Sequence, residues 1–193
     1  MFRFGRTLIF SLVLILAGCW IPEDFVASLD IKADKTFIFQ YDGVLAFGPA
    51  LAEIKKHGRL SPRDEAEIKK GEIELRKERG VQDVSYIGNG RFKLRFAMSG
   101  IAKPGTEIFL NLVKFKRDRS GNLVIEGTSL SVEDRRKLSA VGAKFGGTIK
   151  LKSALPIISE NADAKPFLMG LFGTYKWTIS MERATTPRVV LKG

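Results

Sequence analysis

The sequence predicts an α+β fold: an antiparallel sheet of about six to eight strands with two or three helices on one side. Three observations lead to it. "VSYIGNGRFKLRFAM" (residues 84–98) alternates apolar and polar positions on either side of Asn89-Gly90, a favoured two-residue hairpin turn. "SPRDEAEIKKGEIELRKERG" (61–80) opens like a helix, with Ser61 as N-cap, Pro62 at the first position and Asp64 and Glu65 in the first turn. Ser131-Val132-Glu133-Asp134 repeats that opening for a shorter helix ending near Val141.

The chain begins with an apolar segment that is too short to span a bilayer. A span takes about 20 apolar residues, whereas Thr7–Ile21 offers fifteen positions. The basic start (Arg3, Arg6), apolar centre (Leu8–Leu16) and small residues that follow fit a signal-peptide helix. Leu16-Ala17-Gly18-Cys19 resembles the lipobox of bacterial lipoproteins. In that family the Cys thiol receives a diacylglycerol, the peptidase cuts just before it, and the new N-terminus is often acylated too. The resemblance implies a signal peptide over 1–18, with Leu16, Ala17 and Gly18 as the peptidase site. It also implies a single ectodomain over 19–193, held on the membrane through lipidated Cys19. As the only cysteine, Cys19 would leave no thiol for a disulfide, a metal or a nucleophile. Trp20 stands where an aspartate favours inner-membrane retention in enterobacterial lipoproteins. Its identity therefore points to an outer membrane, facing the periplasm, where the envelope has two membranes.

Strands and helices follow in order. Phe25, Ala27, Leu29 and Ile31 alternate as in a half-buried strand over 25–32. "TFIFQYDGVLAF" (36–47) reads as a second strand, with Asp42-Gly43 as a bend or hairpin turn. Residues 49–57 form a helix that Pro49 starts and Gly58 stops, with His57, the only histidine, at its end. The 62–79 helix balances six basic against six acidic residues, and Gly71 weakens its middle. It is a solvated arm with a thin inner face, or a surface for a partner. Residues 107–116 read as one strand, paired through a turn near Asp118–Asn122 with the strand after it. Further strands are expected at 148–152, 174–182 and 188–192, and 155–173 is expected to be irregular, with an apolar turn at "PFLMGLF".

Charge narrows the partners. Without Arg3 and Arg6 the chain keeps 30 basic against 21 acidic residues, which suits phospholipid headgroups, lipopolysaccharide phosphates or acidic glycans. Export sets nucleic acid aside. The excess is greatest between 91 and 119, where eight basic side chains face Glu107 and Asp118. Period two puts Arg91, Lys93 and Arg95 on one face of their strand and Phe92, Leu94 and Phe96 on the other. In 107–116 the same period puts Ile108, Leu110 and Leu112 in a row that runs on into Lys114 and Lys116. Acyl chains on that patch and phosphates on the cations would make an anionic-lipid site. Alternatively, a helix covers the patch and the cations are merely solvated.

"GGTIKLKSALPIISENA…YKWTI" is similar to the late strand pair of the LppM-like family of small bacterial lipoproteins: a glycine-led strand (Gly147–Leu151), an asparagine (Asn161) and a Trp-bearing strand (Tyr175–Ile179). This resemblance implies a lipid-binding type of ectodomain acting on glycolipids at the cell surface. Catalytic patterns are sparse. One His without a Ser or Cys partner makes a triad improbable, one His and one Cys cannot build a metal site, and no cofactor is expected. The acidic clusters at 64–67 and 133–134 open helices, where capping explains them. Two readings stand: a non-enzymatic envelope lipoprotein that binds an anionic lipid or glycolipid, or a scaffold lipoprotein that holds an acidic protein or polysaccharide.

Overall fold

Alternation along the first half of the chain builds a broad antiparallel sheet. A computed structural model describes residues 20–167 and 173–193, so the lipobox, Cys19 included, and most of the "PFLMGLF" turn lie outside the described residues. β1 (Trp20–Ile31) and β2 (Thr36–Phe47) form a long hairpin, and β2 pairs on with β4 (Arg91–Ile101). Phe25, Ala27, Leu29 and Ile31 of β1, and Phe37, Phe39 and Tyr41 of β2, point to one face and are buried. β3 (Val81–Gly88) closes this edge through the Asn89-Gly90 turn, as the sequence predicts.

β2 does not turn at Asp42-Gly43. It runs straight through, and Gly43 serves a close approach instead: a Cβ there would stand 2.5 Å from that of Phe25. Opposite it, β1 bulges between Glu23 and Val26, with Asp24 at φ +46°. Gly147 flanks Phe25 from the other side, where a Cβ would fall 2.3 Å from the Phe25 carbonyl oxygen.

α1 (Gly48–His57) and α2 (Pro62–Lys77) follow β2. The Ser61 hydroxyl accepts from the Asp64 N–H at 3.1 Å, the N-cap that the sequence predicts. Far from projecting as a solvated arm, α2 lies along the edge strand β3. Glu72 accepts from the Tyr86 N–H at 2.9 Å, Glu65 from the Asn89 N–H at 3.1 Å, and Arg76 donates to the Val84 carbonyl at 2.6 Å. Its charged side chains thus occupy edge groups that would otherwise template another strand.

The second half of the chain departs from a single sheet. β5 (Glu107–Ile108), β6 (Val113–Arg117), β7 (Leu123–Gly127), β9 (Ile157–Glu160) and β11 (Arg188–Leu191) make a second sheet in the order β5-β6-β7-β11-β9. β8 (Gly146–Ser153) and β10 (Tyr175–Ser180) return to the first, whose order is β10-β8-β1-β2-β4-β3, and β8 runs parallel to β1. α3 (Val132–Ala140), capped by Ser131, lies between β7 and β8 in the chain. The fold is therefore α+β, with two mostly antiparallel sheets and three helices among the described residues. β9 falls where the sequence suggests irregular chain: four residues carry too little pattern, and pairing with β11 decides them.

The inner face of the six-stranded sheet is shared by two covers. The five-stranded sheet sits on one half, with Phe37 and Phe115 in ring contact at 5.3 Å, and α1 and α2 cover the other. Between the sheets lies a void of about 20 Å³, lined by Leu29, Val113, Ile149 and Trp177 among others, about one water molecule's room.

Candidate functional site

The sequence-predicted lipid face does not form as a row. Residues 107–116 are not one strand: after Ile108 the chain turns back through Phe109, Leu110 and Asn111, at φ +36°, +52° and +60°, and Ile108 pairs with Val113. Only Asn favours the left-handed region, so periodicity hides this turn. Ile108 and Leu112 go into the core, and Leu110 is half-buried. Phe109 fills the gap between the two covers, with its ring 4.5 Å from that of Tyr41 and 4.6 Å from that of Phe96. Burial, with the charges of Asp42 and Glu23 nearby, pushes the Tyr41 hydroxyl pKa well up, so it stays protonated and donates to the Val44 carbonyl at 2.9 Å.

Each predicted cation is matched by a carboxylate. Lys93 meets Asp42 at 2.6 Å, Arg95 meets Asp83 at 3.3 Å, Lys114 meets Glu107 at 2.7 Å, and Lys116 pairs with Glu126. Arg91 pairs with Glu23 at 2.8 Å. Glu23, only 2% exposed, also accepts the Lys144 N–H at 2.7 Å, so this pair belongs to the core at the β1 bulge. These strands bring the cations to register positions opposite acids, and their charge is largely cancelled where it stands.

An apolar hollow lies elsewhere, under α2. Trp20, Phe47, Ile68, Gly71 and Phe92 line a groove of about 270 Å³, with Glu67 as its charged member. A neighbouring hollow of about 400 Å³, which shares Phe47, Glu67 and Ile68, continues between α1 and α2 past Pro49, Leu60 and Asp64. Ligand pockets span roughly 300–1,000 Å³ and are mainly apolar. Aromatic contacts build the walls: Trp20 packs on Phe47 at 5.3 Å and edge-on to Phe92 at 5.4 Å, and Tyr86 on Phe92 at 5.0 Å. Burial, with Glu65 facing it, pushes the Tyr86 hydroxyl up to about 12, and it accepts from the Gly90 N–H at 3.0 Å. Gly71 lines the groove without a side chain, and a Cβ there would stand 3.6 Å from Phe92, in ordinary contact.

Trp20, the first described residue, follows Cys19 directly in the sequence and lines this groove. Two signals for the site were present in the sequence. Gly71 stands three residues from Ile68 on the thin apolar face of its helix, and a tryptophan follows the single cysteine. The folding partners Phe47 and Phe92 carried no signal beyond ordinary strand alternation.

The late motif assembles as a structural node. β8 and β10 pair antiparallel, and the Trp177 indole N–H donates to the Asn161 side-chain oxygen at 2.8 Å. That oxygen also accepts the Arg188 N–H at 2.7 Å, tying the first sheet to β11 of the second. Among the described residues no group of three or more His, Cys, Asp or Glu is placed to hold a metal, and no helix is long and apolar enough to cross a membrane.

No protein-family model and no curated protein sequence matches this chain. Among solved structures it is similar to the folded domain of LppM from Mycobacterium tuberculosis, determined by NMR, with 12% sequence identity and a TM-score of 0.42 over 90% of this chain and 91% of that one.

Proposed function

We propose that this chain is a lipid-anchored protein of the bacterial envelope, with no catalytic step of its own, whose domain shelters part of an anionic lipid or glycolipid in the groove beneath α2. One observation carries this reading: an almost wholly apolar groove opens at Trp20, one residue past the cysteine of a lipobox-like sequence. An apolar chain entering it would remove Trp20, Phe47, Ile68 and Phe92 from water, at about 25 cal/mol per Å² of apolar area buried. The alternative scaffold reading would use the 62–79 helix or the basic strands. However, α2 spends Glu65, Glu72 and Arg76 on the edge of β3, and the strand cations are paired with acids. The apolar groove therefore favours the lipid reading, even though Ile108 and Leu112 are packed in the core.

The test is native mass spectrometry of the full chain purified from a bacterial envelope in mild detergent, with extraction of whatever remains bound. One phospholipid or glycolipid per protein is expected, beyond the acyl groups on Cys19. Gly71→Phe, which fills the groove, should abolish retention, whereas Ile73→Phe on the exposed side of the same helix should not. A protein free of lipid in every preparation, or retention unaffected by Gly71→Phe, would overturn the reading.

A further inference from the structure

We infer that the turn joining α1 to α2 is the face that this domain lays against an anionic bilayer. The stretch "KKHGRLSPR" (55–63) holds Lys55, Lys56, Arg59 and Arg63 and no acidic residue. All four cations are exposed, and among the described residues none of them takes part in an ion pair. This differs from the strand cations, whose carboxylates are already in place.

The turn is built to hold these charges outward. Gly58, at φ +79°, ends α1 by donating to the Ile54 carbonyl at 2.7 Å, Ser61 caps α2, and between them Leu60 is buried at 7% exposure. Folding accounts for only part of the pattern. Lys55 and Lys56 sit at the C-terminus of α1, where the helix dipole welcomes a cation. Arg59 lies beyond that helix. Arg63 stands in the first turn of α2, where a positive charge opposes the dipole. A cation kept at a position that its own helix disfavours points to a partner outside the fold.

Position names that partner as a membrane surface. Leu60 and Asp64, the neighbours of Arg59 and Arg63 in sequence, line the hollow that continues the Trp20 groove. Phe47, which carries Trp20 against it, is the residue from which α1 starts. Trp20 thus packs at the start of α1, and the turn lies at its end, about 15 Å away. A lipid on Cys19 would therefore enter the bilayer within one short helix of the turn, with Trp20 at the depth where tryptophans settle and the four cations among the phosphates. The inference takes from the preceding reading only the tether at Cys19; it does not require the groove to hold a lipid.

Among the described residues the core begins at Ile21, so the test uses chain lacking residues 1–19, with circular dichroism and cooperative unfolding establishing first that it folds. Its partition onto phosphatidylcholine vesicles is measured by sedimentation with and without phosphatidylglycerol. Intrinsic emission, compared with that of Trp20→Phe, isolates Trp20 from buried Trp177. Binding to the mixed vesicles only is expected, weakened by salt, with Trp20 emission shifted to the blue. Each phosphate-facing cation contributes roughly fivefold in partition. Lys55→Gln/Lys56→Gln/Arg59→Gln/Arg63→Gln should therefore lower it by about 600-fold at low salt, while Lys150→Gln/Lys152→Gln/Lys176→Gln, on the outer face of the first sheet, should leave it nearly unchanged. Arg63→Gln alone separates binding from folding, because it should raise thermal stability slightly while weakening binding. No binding to the mixed vesicles, equal loss in both sets, or loss only in the second set would each overturn the inference. Lipid retention in the mass spectrometer is a separate readout, so the two readings can fail independently.

Discussion

Two basic regions of this molecule look alike as sequence and differ as surfaces. The strands around 91–95 and 114–116 are the most basic block of the chain, yet Lys93, Arg95, Lys114 and Lys116 each meet an acid on a neighbouring strand, and Arg91 meets buried Glu23. The nine residues from Lys55 to Arg63 carry fewer Lys and Arg, none of which forms an ion pair among the described residues; His57 alone meets an acid, Glu53. Counting charge along a chain measures composition; the potential at a surface depends on which acids the register brings alongside. Cross-strand pairing places Asp42 and Asp83 beside the strand cations, whereas a tight turn between two helices has no neighbouring strand to supply a counter-charge.

The sharpest way to break this comparison is to remove the half-buried strand cation whose carboxylate partner lies in the core. Arg91→Ala should leave Glu23 buried without its partner and cost roughly 3–5 kcal/mol, read by urea or thermal unfolding. A cost below that of an exposed pair would mean that Glu23 is solvated. Next in size is Asn111→Val, which tests whether 107–116 is a strand or a left-handed turn. In a strand the β-branched residue would be neutral or favourable, but at φ +60° it should destabilise by about 1–2 kcal/mol. Gly71→Ala should act the other way, stabilising α2 by about 1 kcal/mol because its Cβ reaches only ordinary contact with Phe92; calorimetry checks the sign. Smallest are Lys93→Ala and Arg95→Ala, where an exposed pair is worth about 0–1 kcal/mol and neither should change vesicle binding.

Acid titration addresses the carboxylates collectively. The Tyr86 N–H and Arg76 hold Glu72 below its ordinary value of 4.5, and Arg183 holds Asp163 below 3.8. Groups whose folded pKa is depressed contribute stability that is present above the unfolded value and lost as pH falls through the folded one. Stability followed by circular dichroism should therefore be level from neutral pH down to about the ordinary carboxylate range and decline below it. If α2 frays from β3 before the core unfolds, Glu72→Gln should remove that early step.

Much of the fold was legible locally. Ser61 and Ser131 announce their helices because a short side chain capping an N–H is a local interaction, and Asn89-Gly90 announces its hairpin because both residues adopt positive φ. The division into two sheets was not legible, since β9 and β11 pair across 28 or more residues of chain and four-residue strands carry little periodic signal. Asp42-Gly43 misled because glycine marks a close approach as readily as a turn. Phe109-Leu110 misled because neither residue favours the left-handed conformation that packing against Tyr41 and Phe96 imposes.

The candidate site divides along the same line. By itself the sequence determined the lipobox-like run at Leu16–Cys19, the helix caps, the faces of β1, β2 and β4 and the basic run at 55–63, because each depends on residues within a few positions of one another. Tertiary structure alone decided which cations keep their charge, that Glu23 lies inside the core, and that Trp20, Phe47, Ile68, Gly71 and Phe92 line one groove. Those outcomes depend on strand register and on where α2 comes to rest, and both are set by contacts between residues far apart in the chain.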